Sequence, residues 1–80
     1  MTDFQKKTEQ ARLFLKSGDL QRICRMSNVA AGTVYAAWRA RDYKLLQPKQ
    51  QRAYDAFVSV VESNLAAADN IQRRIEHIAQ

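Results

Sequence analysis

Residues that punctuate or staple a chain are scarce here. The 80 residues include one cysteine, one proline, two glycines and one histidine. A single cysteine excludes an intramolecular disulfide. The segment MTDFQKKTEQ also lacks the apolar core of a secretion signal, so a reducing, cytoplasmic setting is expected. So few turn residues, with no sustained alternation of apolar and polar positions, argue against a strand-and-turn architecture. No apolar run approaches the roughly 18 residues needed to cross a membrane, and no membrane partner is expected. The chain has no glycine-rich phosphate loop, no metal-ligand spacing and no catalytic triad order. It therefore reads as a non-enzyme with no cofactor, metal or small-molecule ligand. Cys24 reads as a small buried hydrophobe, His77 as a lone histidine on a polar helix face, and Trp38 as core.

What remains is an ordinary globular balance, 46% hydrophobic and 26% charged, with an unusual distribution of charge. Residues 1–47 hold nine Lys and Arg against four acids, and residues 48–80 hold four of each. The net charge of +5 therefore belongs entirely to the first segment. A basic half joined to a neutral half fits a polyanionic partner on one side of the molecule.

The pattern predicts an all-α domain of four or five helices. Thr2 and Gln5 have capping-box spacing, so a first helix starts near Asp3. Phe4, Thr8, Ala11 and Leu15 form its buried stripe, and Ser17-Gly18 is expected to stop it, with Gly18 as a left-handed C-terminal cap. Asp19 is expected to cap a second, short helix carrying Leu20, Ile23 and Cys24 on its apolar side. Ser27-Asn28 makes a corner, because Asn tolerates positive φ better than other non-glycine residues. A third helix follows over about 31–39, anchored by Val34 and Trp38. A basic loop then leads to Pro48 as the first residue of a fourth helix. From there Tyr54, Val58, Val61, Leu65 and Ala68 form one apolar stripe, continued by Ile71, Ile75 and Ile78. The phase slips at AAADN, so the helix either stutters there or a fifth begins at Asn70.

The stretch ICRMSNVAAGTVYAAW carries an Ile followed by a small residue (Ile23-Cys24), a turn Asn followed by an apolar residue (Asn28-Val29), then Val34 and Trp38. At these spacings, over about residues 19–41, it resembles the helix-turn-helix of lambda-repressor and Cro-type DNA-binding domains. The likeness is strongest to small regulators of bacterial, phage and mobile-element origin. Two features depart from that pattern. Ser27 stands where an apolar residue is usual, so Met26 is expected to turn inward. The expected reading face is also poor in hydrogen-bonding side chains.

The resemblance implies a repressor-like transcription regulator that binds double-stranded DNA sequence-specifically, is associated with the nucleoid, and acts as a homodimer. By register, Ala30, Ala31, Gly32, Thr33, Tyr35, Ala36 and Arg39 would face the bases. Arg22, Arg25, Arg41 and Lys44 would contact phosphates. Tyr35 also admits a plain packing role beside the seam. Residues 1–47 would form the basic DNA-binding region of one compact domain. Residues 48–80 would supply packing and a dimer seam of Val61, Leu65, Ala68, Ile71, Ile75 and Ile78, with the two third helices about 34 Å apart. Two other readings stay open at this point. One is an adaptor that uses the same small-residue face to bind a protein. The other is an accessory factor for recombination or packaging.

Overall fold

The computed structural model describes residues 1–79 as an all-α domain. Helices α1 (Asp3–Arg12), α2 (Asp19–Ser27) and α3 (Ala31–Trp38) are followed by a 3-10 turn at Tyr43–Leu45 and a single long helix, α4 (Pro48–Ala79). At 1.5 Å per residue, 32 helical residues give about 48 Å. That accounts for the long axis of the molecule, 49 × 28 × 17 Å overall. The three short helices pack on the first half of α4 and form a body; the second half extends beyond it.

The core is built from Ile23 of α2, Val34 and Trp38 of α3, and Ala53, Ala56, Phe57, Val60 and Val61 of α4. Its aromatic part is continuous. Trp38 meets Phe57 edge-on at 5.4 Å between centroids, Phe57 meets Tyr54 at 5.3 Å, and Tyr54 stacks on Phe4 at 5.0 Å. These geometries add to the burial energy that apolar contact already supplies. Thr8, buried in α1, donates to the Phe4 carbonyl at 2.9 Å and so accepts from the Tyr54 hydroxyl at 2.6 Å. One polar residue on the apolar stripe is thereby satisfied and ties α1 to α4.

Several local expectations are corrected. Helix α1 ends at Arg12, one turn early, and Leu15 reaches the core from a loop instead of a helix. Gly18 does take the left-handed conformation (φ 89°), but as the residue before α2 and not as the cap of α1. Asp19 is the first residue of α2. Its carboxylate accepts the Lys16 N–H at 2.7 Å, closing the turn ahead of the helix. Met26 stays outside and Ser27 is buried in its place, donating to the Ile23 carbonyl at 2.6 Å. A back-bonded serine is compact and has no unsatisfied donor, so it can occupy an apolar position.

The face that α4 buries is centred on Phe57, with Ala53 and Val60 beside it; Val58 is exposed. The shift at AAADN breaks nothing, and one helix runs through it. The last side chain of α4 hydrogen-bonded to the body is Asn64. Its amide donates to the Phe14 carbonyl at 2.7 Å and to the Asp19 carboxylate at 2.8 Å. Val61 is only 7% exposed, within the chain's own core, so it is withdrawn from the expected dimer seam.

Candidate nucleic-acid interface

The corner between α2 and α3 rests on one residue. Asn28 takes φ 55°, ψ 47°, the left-handed region, and ends α2 while the Val29 N–H bonds the Cys24 carbonyl at 3.2 Å. Asparagine is the side-chain-bearing residue best suited to that backbone. Ala30 then turns the chain into α3 in an extended conformation.

Helix α3 divides cleanly. Val34, Ala37 and Trp38 face the core, while Gly32, Tyr35 and Arg39 are exposed and Ala31, Thr33 and Ala36 are half-buried. Positions 32, 35, 36 and 39 fall at the spacing of one helix face. The outward stripe is thus Gly32, Tyr35, Ala36 and Arg39, with Ala30 exposed just ahead of it. Arg39 lies at the C-terminal end of α3, one position past its last residue. Tyr35 is held edge-on against Trp38 at 5.5 Å, which orients its ring and leaves it 42% exposed. Packing and exposure therefore coexist at this residue.

Two choices in α3 disfavour the helix. Its N-cap is Ala30, which makes no side-chain hydrogen bond to the first turn. A Ser, Thr, Asp or Asn there would stabilise by roughly 0.5–2 kcal/mol. The second helical residue is Gly32, in the ordinary helical region, and a Cβ added to it would meet nothing within 4 Å. No internal contact requires glycine, although glycine costs up to about 1 kcal/mol relative to alanine in a helix interior. Both choices leave the same first-turn backbone bare.

The basic residues frame this face unevenly. Arg22 and Arg25 are exposed on α2, with Arg22 close enough to Asp19 to feel its charge. The Arg41 carbonyl is fixed by the Thr2 hydroxyl at 2.7 Å, and its side chain is free in solvent. Lys44 sits on the 3-10 turn. That turn is held by Asp42 at its start and by the Tyr43 hydroxyl, which donates to Asp55 at 3.0 Å. The bond to the Asp55 carboxylate raises the Tyr43 phenol above its ordinary value. Arg12 is engaged differently, its guanidinium lying 4.4 Å over the Trp38 ring. The Trp38 indole N–H beneath is buried without a hydrogen-bond partner.

The structure adds two residues that sequence reasoning had left in the neutral half. A shallow groove joins Thr33 to Gln47, Pro48, Lys49, Gln50 and Arg52. The start of α4 therefore brings Lys49 and Arg52 to the N-terminal end of α3. Nothing local announces this; only the return of the chain after the 3-10 turn creates it. Among the described residues the one salt bridge is Asp69–Arg73, on the distal part of α4. Among the described residues, the cations of residues 1–47 thus form no salt bridge. The described residues also contain no group of three or more His, Cys, Asp or Glu able to hold a metal, and no helix long and apolar enough to cross a membrane. Comparison with protein families, characterised proteins and solved structures finds no match to this chain.

Proposed function

We propose that this protein binds double-stranded DNA through a helix-turn-helix formed by α2 and α3, with α3 entering the major groove as the recognition helix. The carrying observation is Gly32, a glycine on an exposed helix face for which the fold has no use. A residue that costs stability and serves no internal contact fits a backbone that must approach a ligand closely. The small neighbours Ala31 and Ala36 extend that low surface, and the N–H groups of Ala31 and Gly32, ahead of the first bonded amide at Thr33, suit an anionic partner.

Base contacts are then few. Arg39, Thr33 and Tyr35 are the side chains able to read base edges, and apolar contact with thymine methyls and DNA shape supply the rest. Arg25, Arg41, Lys44, Lys49 and Arg52, all exposed, would hold phosphates and fix the register. Regulation of transcription is the role that sequence-specific DNA binding by a helix-turn-helix would serve.

The test is titration of labelled duplex by fluorescence anisotropy across a range of salt. Engagement of four to five phosphates gives a slope of log K against log salt near −4. A Lys49→Ala, Arg52→Ala variant lowers the magnitude of that slope by about two. A slope near zero, with binding to a protein partner instead, would make the small face an adaptor surface.

A further inference from the structure

We propose that the distal half of α4 is a self-docking surface, on which two copies of this chain join antiparallel about a two-fold axis near residue 73. The inference rests on α4 alone and holds whether or not the body binds DNA.

Every residue from Leu65 to Ala79 is exposed, a helical length of about 22 Å. Yet the face that α4 buries against the body does not stop where the body stops. Positions 57, 64, 71 and 78 lie seven apart on it, as do 61, 68 and 75. Ile71, Ile75 and Ile78 therefore stand in line with Phe57 and Val61, at 55%, 61% and 82% exposure. The ion pair of this segment, Asp69–Arg73 at 3.1 Å, lies on the far side and leaves the apolar line clear.

The occupant follows from register, sterics and area. With heptad spacing, an antiparallel copy sets Ile71 opposite the partner's Ile75 and Ala68 opposite the partner's Ile78, twice each by symmetry. The two central layers pair Ile with Ile and the two outer layers pair Ala with Ile, so all four layers close at once. A parallel copy is excluded. The body lies on the same face of α4, so a parallel partner helix 8–10 Å away would have to pass through α2 and α3. In the antiparallel arrangement Ile78 instead comes level with the partner's Ala68, about one turn from the partner's body. There Leu13 and Phe14 are exposed beside Asn64, the last residue of α4 held by the body.

The exposed parts of Leu13, Phe14, Leu65, Ile71, Ile75 and Ile78 amount to roughly 600–700 Å² per chain, close to the ~800 Å² per partner of a standard stable interface. The three isoleucines alone fall well short. The loop at Leu13–Phe14 is thus part of the surface, and the exposure of both patches has one explanation. Arg74 lies on one flank near its symmetry mate and Gln72 on the other, so no ion pair holds the seam. Added salt leaves the dimer intact or strengthens it.

The experiment is sedimentation of the full chain at low and high salt, followed by cysteine cross-linking in a Cys24→Ala background. The full chain is expected at twice its mass under both conditions. Ile75→Asp is expected at its single mass, with native helicity and a melting temperature that no longer depends on protein concentration, because residue 75 is exposed on the distal half of α4. Ala68→Cys and Ile78→Cys chains, oxidised as a mixture, are expected to form the mixed disulfide. Neither forms a homodimer alone, since each residue lies about 15 Å from its own symmetry mate along the axis. A full chain that stays monomeric at its highest soluble concentration overturns the proposal and leaves the face to a different partner. Self-cross-linking of Ile78→Cys overturns the antiparallel direction, and a dimer that survives Ile75→Asp places the interface elsewhere.

Discussion

Replacing Gly32 by alanine should make the protein more stable and a weaker DNA binder at once. The added methyl meets nothing within 4 Å, and Gly32 is not in the positive-φ region where a side chain would be strained. The gain is then the helix propensity difference together with the loss of unfolded-chain entropy. That difference is about 1 kcal/mol in a helix interior and nearer 0.5 kcal/mol in a first turn. For a domain of this size 0.5 kcal/mol raises the melting temperature by about 2–4 °C.

In the proposed complex the same methyl stands where the DNA backbone or a base edge would come close. Loss of one backbone contact at about 1–2 kcal/mol weakens binding roughly 5- to 30-fold. Gly32→Leu, which projects further from an equally open position, should abolish measurable binding while keeping native helicity. Calorimetry and anisotropy titration on the three proteins read both quantities. Opposite signs for stability and affinity are the expected signature. If Gly32→Leu binds duplex as well as the parent, α3 does not approach DNA through this face, and the proposed recognition geometry is wrong.

The two kinds of basic contact should separate on titration against cognate and scrambled duplexes. Arg39→Ala costs about 1–3 kcal/mol on the preferred site only, whereas Lys44→Ala weakens all sequences alike and flattens the salt slope by about one. Equal losses from both on every sequence would remove Arg39 from base reading. Acid stability should depend on Asp19, whose carboxyl is held below its usual value of 3.8, first by the Lys16 backbone N–H and then by the Asn64 amide. A depressed folded pKa contributes stability that is present above about pH 4 and lost as the pH falls through the lowered value. Asp19→Ala should therefore cost about 1.5–3 kcal/mol at neutral pH and flatten the melting temperature below pH 4, and an unchanged acid profile would show that the bond network is not what shifts this group.

How much of this was legible in the sequence depended on whether the signal was local. The capping box at Thr2–Gln5, the left-handed Asn28 and the Pro48 start all lie within a few residues of what they control, and each is where its chemistry put it. The end of α1 was misread because Leu15 keeps the helical spacing while reaching the core from a loop. The real stop combines a local turn, which Asp19 closes with Lys16, and a contact distant in sequence, Asn64 with Phe14. The same cause hid Lys49 and Arg52. Counting charge by segment placed them in a neutral half, whereas the fold returns the start of α4 to Thr33. The stripe on α4 was read about a quarter-turn off, since Val58 and Leu65 share a helical period with the true face but sit on its edge.

The antiparallel seam, combined with the proposed DNA binding, fixes a spacing that differs from the 34 Å expected from sequence. Thr33, at the N-terminal end of α3, lies against residues 47–52 of α4, and Trp38 at the other end packs on Phe57. A two-fold near residue 73 therefore places the two copies of Thr33 about 70 Å apart along the helix direction, and the two copies of Trp38 nearer 50 Å. The N-terminal residues of a recognition helix make most base contacts, so the outer distance is the relevant one. It matches two turns of B-DNA, about 68 Å, and is twice the span of a single turn. Duplexes carrying two half-sites centred about 20–21 base pairs apart should accordingly bind one dimer more tightly than those with 10–11, and Ile75→Asp should erase the difference. Preference for the shorter spacing would mean that the two bodies lie closer than an overlap of tails permits, and that the dimer closes through a face other than α4.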